Sequence, residues 1–144
     1  MTINRRLFLS STFSIILFNC TNFDHSIIGN WKSIESNGES KIHTEVYIDD
    51  KTFNVFSEEI NDIIFSNYYG ANNKKIFILN NEKTDTLVEF EYEIHGGTLK
   101  LSGSNTSTKY FRIKNGNTLD EFINDSISKH QYLENFHQRK NKND

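Results

Sequence analysis

Between Asp85 and His95 the chain alternates without a slip, with Val88, Phe90, Tyr92 and Ile94 on one side and Glu89, Glu91 and Glu93 on the other. A period of two belongs to a strand with one face in a core and the other in water. A helix would scatter the same residues around its circumference. The three glutamates in register mark the solvated side, a simpler reading than a row of metal-binding or catalytic carboxylates. Gly96-Gly97 then predicts a tight hairpin onto Thr98 to Gly103, where Leu99 and Leu101 face the same core. A lone hairpin is marginal in water, so the rest of the chain must supply more sheet.

It does, in short runs separated by polar turns. Ile27 to Ile34 is β-prone and holds the only Trp; Lys41 to Ile48 alternates Ile42, Thr44, Val46 and Ile48 against Lys41, His43, Glu45 and Tyr47. Asp49-Asp50-Lys51 turns into Thr52 to Phe56, where Phe53 and Val55 share a face, and Ser57 to Asp62 reads as a single helical turn capped by Ser57. Ile63 to Tyr69 places Ile63, Phe65 and Tyr69 on one side. Lys75 to Leu79 follows Asn72-Asn73, Asn80-Asn81 precedes the long strand, and Thr108 to Ile113 is the last. The reading is a mainly β fold, a small antiparallel up-and-down barrel of about eight strands with a C-terminal α-helix. An eight-stranded barrel is wide enough to be filled by side chains or to hold one small ligand. The inward candidates (Val46, Phe53, Val55, Phe65, Ile78, Val88, Phe90, Tyr92, Ile94, Leu99, Leu101) are nearly all bulky.

After Gly116 the period changes. Thr118-Leu119-Asp120-Glu121 is a capping box, and Leu119, Phe122, Ile123, Ile127, Leu133 and Phe136 recur at helical spacing. One helix lying on the barrel wall accounts for them. Residues 138–144 are charged, lack apolar cover and read as a disordered tail.

At 144 residues one domain is the limit, and 12 Phe with 6 Tyr supply the large side chains that a small core needs. Pro is absent, so turns fall to Asn, Asp and seven glycines. The net charge is −3, and removing residues 1–19 takes away Arg5 and Arg6 but no acid, leaving −5. An acidic domain offers no basic face to nucleic acid and no polybasic grip on anionic lipid.

Arg5-Arg6 precede a twelve-residue apolar run, Leu7 to Phe18. The run is short of the ~20 residues that a membrane-spanning helix needs and suits a signal peptide. The stretch that ends it, Leu17-Phe18-Asn19-Cys20, resembles the lipobox of bacterial lipoproteins, with Leu three residues before the cysteine. Phe18 and Asn19 are bulkier than the usual occupants. The resemblance implies that residues 1–19 are removed, Cys20 is lipidated, and residues 20–26 form the lipidated N-terminus and spacer. The two or three long acyl chains it implies, at ~0.8 kcal/mol per buried CH₂, make an effectively permanent membrane anchor. Thr21 replaces the Asp that enterobacterial sorting reads as inner-membrane retention, so the expected address is the cell envelope, at the outer membrane in preference to the inner. Cys20 is also the only cysteine, so no disulfide can form within the chain.

Residues 27–137 then form the domain. Gly29 and Trp31 at its start, Arg112 within Tyr110-Phe111-Arg112-Ile113, and the helix after Thr118 resemble the lipocalin-like proteins, and the chain is similar to the compact lipocalin-like lipoproteins of the Bacteroidetes. The second lipocalin signature, Thr-Asp-Tyr, is missing. The resemblance implies that Gly29, Trp31 and Arg112 form a structural barrel plug, the Arg packing across the indole.

Catalytic patterns are not found. His25, His43, His95, His130 and His137 are scattered without metal-ligand spacing, no Ser lies in Gly-x-Ser-x-Gly, and no phosphate loop is present. Asp49-Asp50 and Glu58-Glu59 fall in turns, where solvation accounts for them. No catalytic residue, metal or cofactor is expected. Two functions remain: a non-catalytic module acting through its outer surface on an envelope protein, and, as the alternative, carriage of a small apolar ligand in the barrel. The bulky interior ranks the first above the second.

Overall fold

A computed structural model describes residues 26–33 and 42–141. The expected leader, the lipobox-like stretch with Cys20, Ile34 and Lys41 lie outside the described residues. Eight strands follow in chain order: β1 (Gly29–Ser33), β2 (Thr44–Ile48), β3 (Thr52–Ser57), β4 (Asp62–Ala71), β5 (Lys75–Leu79), β6 (Thr86–His95), β7 (Thr98–Ser102) and β8 (Ser107–Ile113). Each pairs antiparallel with its sequence neighbour, and β8 returns to β1, closing an up-and-down barrel. Two helices, α1 (Leu119–Ile123) and α2 (Lys129–Asn141), complete the fold.

Alternation puts one set of side chains inside. Trp31, Val46, Ile48, Phe53, Ile76, Ile78, Leu99, Leu101 and Tyr110 form the barrel core, with Val55, Phe65, Phe90 and Tyr92 packed against it. The registers fix two ends. One, here the floor, gathers the start of β1, the Asp49–Lys51 and Asn72–Lys74 turns, the Gly96-Gly97 hairpin and the exit of β8. Gly96 and Gly97 have φ of 56° and 76°, the left-handed pair that a two-residue hairpin requires. The opposite end, the top, carries the turns after β3, β5 and β7.

A second core lies outside the barrel. Phe56, Leu119, Tyr132 and Phe136 are buried together, joined by Tyr47, Ile63, Phe122, Ile123, Ile127 and Leu133. The helices thus cover the outer wall around β2 and β3. Asn30 and Asp120 bind reciprocally, Asn30 Nδ2 to Asp120 Oδ1 at 3.0 Å and Asp120 N to Asn30 Oδ1 at 3.2 Å, fixing α1 to β1. The capping box forms, with Thr118 N donating to Glu121 Oε2 at 2.9 Å.

Five expectations need correction. Ser57 pairs with Asp62 as strand, so Glu58–Asn61 is a hairpin turn with Asn61 at φ 53°, not a helical turn capped by Ser57. A register shift between Val55 and Phe56 gives β4 one extra residue, which sends Ile63 to the outer core while Phe65 stays inside. Val88, expected inward among buried residues, is 40% exposed where β6 reaches the top. The single helix is two, interrupted at Asp125 with φ 55°. The tail expected from Gln138 is helical through Asn141, and Arg139 is held by a buried partner.

Candidate functional site

Gly29, Trp31 and Arg112, the residues expected as a barrel plug, come together at the floor. Trp31 and Arg112 are direct cross-strand partners on β1 and β8. Trp31 is fully buried, and the guanidinium carbon of Arg112 sits 4.1 Å from its ring centroid. Such a contact contributes ~0.5–2 kcal/mol, more when water is excluded. Arg112 also donates to the carbonyls of Ile28, at 2.8 Å, and Ser26. Trp31 Nε1 donates to Ile27 O at 2.9 Å. Three successive carbonyls before β1 are therefore gripped by the two plug residues. Gly29 is required between them. Its φ is 137°, and a Cβ there would lie 2.6 Å from Arg112 Nη1. Cys20, the expected lipidation residue, lies outside the described residues.

Above the plug the barrel is packed. Trp31, Ile48, Ile76, Ile78 and Leu99 have no accessible surface, so no water-sized gap adjoins them. Phe53 packs edge-on against Phe65 and stacks with Phe90 at centroid distances of 6.4 Å. The chemistry of these walls is apolar and filled, not a ready calyx.

A second polar cluster was not foreseen. Glu45 on β2, which shares a side with His43 and Tyr47, is fully buried. Arg139 donates Nε to Glu45 Oε1 at 2.7 Å and Nη2 to Oε2 at 2.9 Å, and Tyr132 Oη donates to Oε2 at 3.0 Å. His43 Nε2 stands 3.8 Å from Oε1, too far for a hydrogen bond, and its ring meets Phe136 edge-on at 4.7 Å. Burial by itself pushes the Glu45 carboxyl up, but His43, Arg139 and Tyr132 outweigh it and hold the pKa below the usual 4.5. Burial, reinforced by the Glu45 charge, pushes the Tyr132 hydroxyl far up, so it stays a neutral donor. Arg139 Nη1 donates to Asn117 O at 3.0 Å, and Lys32, the cross-strand partner of Glu45, donates Nζ to Arg139 O at 3.3 Å. Three fixed donors hold the carboxylate, and Glu45 has no accessible surface at which a substrate could meet it. The cluster fastens α2 to the wall. Glu45 was missed because alternation reports which face a residue takes, and only the distant helix decides whether that face is wet.

Other singled-out residues take structural places. Asp49 Oδ1 accepts from Lys51 N at 2.7 Å and Thr52 N at 2.6 Å, organising the β2–β3 turn. Glu58 binds Lys140 Nζ at 2.5 Å. Glu89, Glu91 and Glu93 are exposed on the outer wall, with Lys75 paired to Glu89. His95, His130 and His137 are exposed, the last two on α2 about two turns apart, and His25 lies outside the described residues. Among the described residues no group of three His, Cys, Asp or Glu could hold a metal, and no helix is long and apolar enough to cross a membrane.

Exposed apolar side chains remain near the top: Ile60 at 63% in the β3–β4 turn, Ile64 at 50% on β4 and Leu87 at 54% on β6. Isolated exposed apolar residues are ordinary, but several at one end of a small barrel suit contact with another protein. No family model, curated protein or solved structure matches this chain.

Proposed function

We propose that this chain is a lipid-anchored lipoprotein of the bacterial cell envelope, held through Cys20 at the outer membrane in preference to the inner. Its lipocalin-like domain is non-catalytic and acts through its outer surface on another envelope protein. Support for the anchor comes from Leu17 and Cys20 behind the apolar run Leu7 to Phe18. The observation that carries the outward mode of action is the packed interior, where Trp31, Ile48, Ile76, Ile78 and Leu99 leave no accessible surface. A ligand would have to displace side chains whose burial contributes ~1.5–3 kcal/mol each.

Metabolic labelling with an alkynyl palmitate tests the anchor: the wild type takes the label and Cys20→Ser does not. Label persisting in Cys20→Ser overturns it. Crosslinking in intact envelopes tests the surface. Leu87→Asp and Ile64→Asp should lose a specific crosslinked protein that the conservative interior change Ile76→Val retains. Recovery of a stoichiometric lipid by mass spectrometry of the purified domain would instead establish the barrel-ligand reading.

A further inference from the structure

We infer that the floor of the barrel, the end closed by Trp31 and Arg112, faces a lipid bilayer, and that the top faces away. The inference rests on the proposed anchor at Cys20 and adds the orientation in which the domain is held. Its first support is the grip on the segment before β1. Arg112 holds the carbonyls of Ser26 and Ile28, and Trp31 holds that of Ile27. The chain therefore enters the domain at the floor and is fixed there, instead of swinging freely from Gly29. Six residue steps separate Cys20 from Ser26, a reach of at most about 22 Å at ~3.3–3.6 Å per residue. The ten-residue strand β6 spans roughly 30 Å along its own axis at ~3.3 Å per residue. A tether no longer than the barrel's longest strands, fastened at one end, cannot easily present the opposite end to the same surface.

Charge supplies a second support. At the top, Glu58 and Asp62 are taken up by Lys140 and Lys129 of α2, which leaves Glu59, Glu82 and Asp85 against Lys83. At the floor, Lys51, Lys74 and Lys114 balance Asp49, Asp50 and the Asp120 bound to Asn30. Phosphatidylglycerol headgroups would repel the acidic top more than the balanced floor. The exposed side chains of Ile60, Ile64 and Leu87 then stand at the membrane-distal end, open to a partner approaching from the aqueous side.

The test places a clickable fluorophore, through p-azidophenylalanine, at Lys51 or Lys74 on the floor and at Asn81 or Ser104 at the top. The full chain is reconstituted in phosphatidylethanolamine–phosphatidylglycerol vesicles holding an energy acceptor in the headgroup layer. Transfer from the floor sites should exceed that from the top sites by about twofold or more, given a separation comparable with the strand length. Equal transfer, or stronger transfer from the top, overturns the orientation. Inserting a long Gly-Ser segment between Asn22 and Phe23 should reduce the contrast, and an undiminished contrast would overturn the tether as its cause. Mass spectrometry of Cys20 separates the two readings. If the cysteine is unacylated, the anchor fails. Coupling the Cys20 thiol to a maleimide-headgroup lipid then tests the orientation alone.

Discussion

Arg139 grips Glu45 with two parallel bonds, 2.7 and 2.9 Å long, across 94 positions of sequence. Glu45 is wholly buried and the Arg139 side chain is 12% exposed. Two charges withdrawn from water this far depend on each other. Removing one partner of such a pair costs about 3–5 kcal/mol because the other stays buried without compensation. Arg139→Ala and Glu45→Ala should each lower the urea midpoint accordingly, while the double change to Met at both positions should restore much of the loss. Additive losses in the double variant would mean that the two residues act independently.

Acid should loosen the same region. Burial pushes Glu45 up, but its neighbours hold it below 4.5; Lys140 does the same for Glu58, and the Thr52 and Lys51 donors hold Asp49 below 3.8 despite its partial burial. Each carboxyl titrates lower when folded than when unfolded. The stability they contribute is therefore present above the unfolded values and is lost as pH falls through the folded ones. Chemical denaturation at a series of pH values should show a falling midpoint from about pH 5 toward pH 3. Glu45→Gln should flatten that limb, and an unchanged slope would remove Glu45 as its cause.

At the floor, Gly29→Ala confronts both a left-handed φ of 137° and the Arg112 guanidinium. The loss should reach about 1–3 kcal/mol, the cost of a residue forced into a glycine-only region. For Trp31 and Arg112 a double-mutant cycle with Trp31→Phe and Arg112→Met should return a coupling of ~0.5–2 kcal/mol. Zero coupling would reduce their stacking to simple proximity.

Ile76→Ala tests the packed interior. Ile76 has no accessible surface and lies opposite Phe90. Truncation should cost about 2–5 kcal/mol, set by how far Phe90 and its neighbours relax into the gap. A loss under about 1 kcal/mol would show that the barrel had spare room or closed over it freely.

The strands were legible where one face is dry and the other wet. Lys75 to Leu79 was read with its boundaries correct because it is a short apolar run between asparagine turns, and the Asp85 to His95 strand within one residue because Phe90 and Tyr92 alternate against glutamates. Trp31 and Arg112 were singled out through resemblance, and their contact comes from the closure of β8 on β1. What local pattern could not reveal was the outer core. Glu45 is one polar position in an alternating strand, Arg139 falls in the expected tail, and nothing local in the sequence joins them or Tyr132 until α2 is laid over β2. Ile63 changed sides because a single extra residue in β4 resets the alternation. Helical spacing from Leu119 to Phe136 likewise ran on through a break, since Asp125 bears no mark of its left-handed backbone in residue type alone.

The seam between β1 and β8 joins the two ends of the domain, with Arg112 bound to a carbonyl 84 positions earlier. The seam has a temporal meaning. A chain emerging N-terminus first can form the early hairpins, but it cannot complete the cylinder until Ile113 arrives, nor cover the Glu45 wall until Arg139 does. Contacts so distant in sequence make closure slow relative to local pairing. A truncated product therefore lacks both the last seam and the latch, and remains open to proteases that the finished domain excludes. The barrel checks its own length.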